Sequence, residues 1–223
     1  IHGVMNTDNM SISGETIDYG PCAFINAYNP ETVFSSIDRY GRYAFGNQHK
    51  IAYWNLNVFA GTLLPFIGYD KDQSIQLVQD ILDQFPIDYS NEWYKMMFKK
   101  IGIVNSVEED KLLIKGLLAL MESYNSDYTN TFAALTLDKF YSDPLFSSDD
   151  FSDWINRWKK RIKNEKNSYE IMQINNPLYI PRNHLVESAL KNAINGDKEE
   201  FDNLLNLMSQ TYNYDLKHDG FQT

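Results

Sequence analysis

From about residue 48 onward, apolar residues return at helical intervals. In IAYWNLNVFAGTLLPFI, Trp54, Val58 and Leu63 share that spacing, and Pro65 ends the run. Asp72 is placed to cap a helix carrying Ile75, Val78, Ile81 and Leu82. Ser90 opens a further helix through NEWYKMMFKKIG, with Gly102 as its C-cap. Over 107–123, Leu112, Leu113, Leu117, Leu120 and Met121 form a wide apolar stripe. Helical patterns follow over 127–140, 151–163, 182–194 and 198–210. Stripes of this kind are helix packing rather than a cofactor box. Pro177 and Pro181 suit the irregular entry to a helix. The first 46 residues read differently. MSISGETI holds two short β-like runs about Ser13-Gly14-Glu15, which predicts a small hairpin. Residues 22–46 form a long irregular segment rich in Tyr, Phe, Asn, Gly and Pro. The predicted fold is mainly α with a small N-terminal β-hairpin.

That hairpin gives a chemistry to the polar residues beside it. Asp8 and Asn9 are adjacent, and Asp18 follows nine residues after Asn9, so a tight turn between them brings Asp18 back toward Asn9. An Asn and an Asp so placed can hold magnesium against a polyphosphate. Magnesium takes hard oxygen ligands and draws the rest of its shell from water and phosphate. Alone, an Asp-Asn pair in a loop is more often a turn or a helix cap. The spacing adds to it. Kinases carry H-R-D-x-x-x-x-N, followed by a second metal-binding Asp in D-F-G. His2 and Asn9 fall on that pattern, and Asp18-Tyr19-Gly20 resembles D-F-G. Val4 stands where the catalytic Asp would be, and valine neither accepts a proton nor orients a hydroxyl. Asp8 is the nearest replacement carboxylate. A base shifted relative to the metal points to attack on a different phosphorus of ATP.

HGVMNTDNMSISGETIDYGP resembles the signature of the selenoprotein O family, kinase-like proteins that transfer AMP from ATP to protein hydroxyls. FSSIDRYGRYAFGNQ at 34–48, IAYWNL at 51–56, SDYTNTF at 126–132 and NPLYIPRNHLVESAL at 176–190 resemble further blocks of it, so the likeness covers nearly the whole chain. The resemblance implies a C-terminal portion of such a protein. Residues 1–90 would be the C-lobe of a protein-kinase-like fold, and 91–223 a family-specific helical extension. Asp8 would be the proton acceptor. Asn9 and Asp18 would bind Mg2+ or Mn2+, with Asp18 also at the ATP phosphates. The family's glycine-containing loop, its lysine–glutamate pair and its phosphate-holding arginines lie upstream of this chain. The 223 residues alone are therefore expected to be inactive. The implied partners are ATP and proteins bearing Ser, Thr or Tyr hydroxyls. Two alternatives stand beside adenylyl transfer. One is a protein kinase that uses Asp8 to move the γ-phosphate. The other is a non-catalytic, nucleotide-binding pseudokinase, which Val4 favours and the retention of Asn9 and Asp18 opposes.

Composition narrows the partners. The net charge is −10 and the pI about 4.8, which argues against a nucleic-acid backbone and against docking on anionic membranes. No apolar run is long enough to span a bilayer. A single cysteine, Cys22, excludes an internal disulfide and reads as a small buried hydrophobe. Some members of the family use a redox cysteine pair, but the corresponding ETVFSS stretch has none. Low cysteine use fits a reducing compartment, and the resemblance implies a cytoplasmic protein in a bacterium or a mitochondrial one in a eukaryote. Arg39 and Arg42 flank Tyr40 and Gly41, and serve either to brace an acidic group or phosphate or in ordinary surface ion pairs. RWKKRIKNEK at 157–166 reads as the solvated face of a helix anchored by Trp154 and Trp158. His2, His49, His184 and His218 have no zinc-type spacing. Arg182 and Asn183 read as structural, a buried ion pair or a hydrogen bond at helix entry.

Overall fold

In the computed structural model the described residues are 1, 3–19, 22–68, 70–140 and 143–214. They form a mainly helical chain that divides into two compact units. The first comprises Ile1–Ala23 and Pro30–Trp93, the second Phe24–Asn29 and Tyr94–Thr223.

The first unit begins with irregular chain. Ser11–Gly14 closes a turn through Gly14 N–H to Ser11 O at 3.1 Å, with Gly14 at φ +69°. This turn lies just before the Ser13-Gly14-Glu15 turn expected of a hairpin, and the described residues on either side carry no strand pairing. Further along, Phe45 N–H donates to Thr32 O and Gly46 N–H to Pro30 O, at 3.0 and 2.7 Å. A Cβ on Gly46 would meet Pro30 Cβ at 2.9 Å, so only glycine allows this approach. Within the loop, the Asp38 carboxylate accepts the N–H groups of Arg42 and Tyr43, both at 2.8 Å. Helix α1, Gln48–Leu63, follows and tightens into a 3-10 turn at Leu64–Phe66. Pro65 explains the stop, because it has no N–H and restricts the residue before it.

Helix α2, Lys71–Lys100, differs from the sequence reading in two ways. Its start is capped by Asp70 rather than Asp72: Asp70 Oδ1 accepts the N–H groups of Asp72 and Gln73 at 3.0 Å each. It also runs unbroken through Pro86, where a second helix beginning at Ser90 was expected. Proline forfeits one backbone bond, but i,i+4 contacts span the site. Gln84 Nε2 donates to Asp88 at 2.9 Å, and the Phe85 and Tyr89 rings lie 6.2 Å apart. The same rings meet α1. His49 stacks on Tyr89 and Tyr53 on Phe85, at 5.0 and 6.0 Å, so the two helices pair antiparallel.

The second unit has a closed core. Gly102 ends α2 at φ +73°, with Ile103 N–H to Phe98 O (2.8 Å) and Gly102 N–H to Lys99 O (3.1 Å), the Schellman pattern expected of this glycine. Helices α3 (Lys111–Tyr124), α4 (Tyr128–Leu137), α5 (Asp149–Ile162), α6 (Ser168–Asn175), α7 (Asn183–Ile194) and α8 (Glu199–Met208) follow. The short α6 escaped sequence reading because its eight residues carry no apolar stripe; Met172 is its buried anchor. Trp154 and Trp158 are fully buried and stack at 5.9 Å. Their indole N–H groups donate to Leu113 O and Ile101 O, both at 2.8 Å, so neither polar tip is stranded. Within the basic stretch at 157–166, Arg157, Lys159 and Lys160 lie on the exposed face of α5, the solvated face read from the sequence. Arg161 is tied to Asp110 at 2.7 and 2.9 Å, and Lys159 to Asp138 at 2.7 Å.

Arg182 is the structural residue expected of it. It is buried and donates to Asp127 at 2.6 and 3.1 Å, to Asn26 at 2.7 Å and to Asn130 at 3.1 Å. Asp127 also caps α4 through Asn130 N–H. With the isolated bridge between Ala27 and Asp127, these bonds bind residues 24–29 into the second unit.

Candidate functional site

The residues singled out for chemistry lie in the first unit. Gly3, at φ +82°, opens the segment. Thr7–Asn9 then form a 3-10 turn, with Asn9 N–H donating to Asn6 O at 3.0 Å. Asn9 Nδ2 donates to Val4 O at 3.0 Å. That bond fixes which branch of the amide is nitrogen and which is the oxygen a hard cation would take. Asp8 and Asn9 are both solvent-exposed in this turn. Asp18 lies beyond the Ser11–Gly14 turn, also on exposed chain.

Two side chains from outside the segment hold it. Asn55 of α1, only 5% exposed, donates through Nδ2 to Met5 O at 2.9 Å and contacts Met10 Sδ at 2.7 Å. The Tyr43 hydroxyl donates to Asn6 Oδ1. Neither role was read from the sequence. The available signal was the position of Asn55, a polar residue one helical turn after Ile51 on the buried side of an apolar helix.

By type, the Asn9 amide oxygen and the Asp18 carboxylate are ligands that magnesium takes. An amide oxygen and a carboxylate, both open to solvent, leave most of the coordination shell to water and phosphate, as that ion prefers. Among the described residues, no three or more His, Cys, Asp or Glu side chains gather around one point, so no site built wholly of protein charges is offered. His2 and Gly20 of the kinase-like pattern lie outside the described residues, as does the HDGFQT tail.

Two further expectations change. Cys22 is exposed rather than buried, because it follows the open chain at 14–19 instead of entering a core. Arg42 lies over the rings of Trp54 and Tyr43, at 4.9 and 5.8 Å, a cation–π placement rather than a brace for an acidic group. Among the described residues, no helix is long and apolar enough to cross a membrane.

The model of a family described as protein adenylyltransferase SelO matches residues 1–209. The chain is similar to the protein nucleotidyltransferase YdiU of Clostridium perfringens strain ATCC 13124, with 50% identity over 218 residues, which is 96% of this chain and 44% of that protein. It is similar to the YdiU of Bacillus cereus strain G9842, 47% identical over 226 residues, 99% of this chain and 46% of that protein. A YdiU of Bacillus thuringiensis strain Al Hakam is 46% identical over the same length. The chain thus spans a little under half the length of these curated relatives.

Proposed function

The chain belongs to the protein adenylyltransferase SelO family, and from that premise we propose that the intact protein transfers AMP from ATP to hydroxyl side chains of proteins. Membership supports nucleotidyl transfer in general, as do relatives named nucleotidyltransferases. The observation that carries the finer reading is the Thr7–Asn9 turn. It presents Asp8 and Asn9 together at the surface while Val4 occupies the position of a kinase base.

In this reading residues 1–90 are the C-lobe of a kinase-like fold, and residues 91–223 are a helical extension. Asn9 Oδ1 and the Asp18 carboxylate hold Mg2+ or Mn2+ on the polyphosphate. Bound there, the ion supplies charge neutralisation for the leaving pyrophosphate. Asp8 accepts a hydrogen bond from the attacking hydroxyl and aligns its oxygen on the α-phosphorus. The new bond joins that oxygen to the α-phosphorus, the bond to the β-phosphate bridge breaks, and the hydroxyl proton passes to Asp8 or to water. In this reading the main contribution of Asp8 is to align the attacking hydroxyl and to stabilise its departing proton. The chain spans a little under half the length of its curated relatives; in this reading the other part completes the nucleotide pocket, and the 223 residues by themselves are expected not to turn over.

The test is to incubate the intact protein with Mg2+ and ATP labelled at either the α or the γ phosphorus. Label from the α position on protein, lowered about 100-fold or more by Asp18→Ala, is the expected result. Label from the γ position alone would make the protein a kinase with a relocated base. No label from either would leave a nucleotide-binding pseudoenzyme, the reading that Val4 favours.

A further inference from the structure

Asparagine is a poor choice for the buried side of a helix. Its propensity is low, and its amide must find partners once water is gone. Asn55 nevertheless sits there, next in line to buried Ile51. Both of its known contacts lead to one place. Nδ2 reaches Met5 O and Met10 Sδ, which stand on either side of the Thr7–Asn9 turn. The carbonyls of Val4, Met5 and Asn6 are then engaged in succession, the first by the Asn9 side chain, the second by Asn55 and the third by Asn9 N–H. Two of these bonds lie inside the segment and move with it. The third joins the segment to a helix of 16 residues.

We infer that Asn55 is a positioning residue of the turn that carries Asp8 and Asn9. It touches neither nucleotide nor metal. It acts by fixing the backbone from which the Asn9 oxygen and the Asp8 carboxylate project, in the way that outer partners set the aim of metal ligands. This inference rests on the reading of Asp8 and Asn9 as site residues, and its test separates the two.

The intact protein is compared with its Asn55→Leu and Asn55→Asp variants. Leucine removes the amide. Aspartate keeps its shape without the N–H donors, and carries the test if the leucine variant does not fold. Ile51→Ala, which removes apolar volume one turn earlier on α1, is the control for general loosening. Two quantities are read: amide hydrogen exchange at Asn9, and the Mg2+ concentration at half-maximal transfer of the α-label. Both Asn55 variants are expected to speed exchange at Asn9 and raise the Mg2+ half-point, each by about 10- to 100-fold. Ile51→Ala lowers the melting temperature without moving the half-point. Unchanged exchange at Asn9 in the Asn55 variants overturns the inference, as does a half-point that moves equally in Ile51→Ala. If the parent protein transfers no α-label but exchange at Asn9 still responds to Asn55, the proposed activity fails and the positioning role stands.

Discussion

The two units are held together by different means. The largest fully buried side chains among the described residues, from Trp154 and Trp158 to Leu145, all belong to the second unit. In the first, the buried apolar side chains are Ala23, Ala44, Ile51 and Leu82, while Phe66 is 84% exposed and Ile81 65%. Helix α1 carries apolar residues on every side, yet only Ile51 and Asn55 of it are buried. The first unit owes its shape to polar side chains that grip backbone: Asp38 on Arg42 and Tyr43, Asn47 on Gly41, Asn55 on Met5, and Asp70 at the start of α2. The second closes its own core and uses polar groups to satisfy it. The candidate site lies in the unit held by hydrogen bonds. Segments that bind and release ligands are generally drawn from regions of low local stability.

If this contrast is right, the largest loss follows from Trp158→Ala. It removes a fully buried ring and strands Ile101 O, so the second unit should lose roughly 3–5 kcal/mol in urea unfolding. A loss below about 1 kcal/mol would mean that the core is not closed.

A pH titration sharpens the same point. Lys100 is half-buried, with Nζ donating to Asn175 O and Asn176 Oδ1 at 3.1 and 3.3 Å and lying over the Phe132 and Tyr128 rings. Burial pushes its pKa down to about 8. Between that value and the unfolded one near ~10.4 the unfolded chain holds a proton that the folded chain has released, so stability rises with pH across this window. The gain is on the order of 3 kcal/mol at most. Tyr128, facing the same amine, is pushed up by burial, so above about pH 10 the unfolded chain ionises it first and the gain is eroded. Unfolding midpoints taken from pH 7 to 10 should climb in the parent chain and stay flat in Lys100→Met. A parent curve that falls throughout would contradict the burial of the amine.

The first unit should respond to loss of a polar grip and ignore loss of an apolar one. Asp38→Ala leaves two backbone N–H groups without their acceptor and should cost about 1–3 kcal/mol, read as faster amide exchange at Arg42 and Tyr43. Phe66→Ser should change stability by no more than about 0.5 kcal/mol by thermal melting. A larger loss from Phe66 than from Asp38 would reverse the comparison.

Much of the second unit was legible in advance because its signals are local. Gly102 stops α2 because the end of a helix wants φ > 0. Of the apolar stripe read on α3, Leu113, Leu117 and Met121 are buried while Leu112 is exposed, and both tryptophans of α5 are buried. Arg182 reads as structural, in a buried ion pair or a hydrogen bond at helix entry, but the sequence does not name Asp127 and Asn26 as its partners, which are remote along the chain. Legibility failed where two local signals competed. Asp70 and Asp72 are equally good caps by type, and only the backbone path selects Asp70. Pro86 reads as a helix break, but side-chain contacts across it carry α2 through.

At the candidate site the division is sharper. The sequence by itself determined the residue types: a neighbouring Asp8 and Asn9, an Asp18 beyond a Ser-Gly turn, and a valine where a base would stand. It also carried enough ordered likeness to identify the family, because the blocks around those residues recur in it. The tertiary structure alone decided what holds them. Asn55 and Tyr43 lie 50 and 37 residues from the atoms they bind. No periodicity or spacing encodes such a pairing. It exists because α1 presents one buried amide to one carbonyl, and a hydrogen bond is made by atoms close in space rather than along the chain.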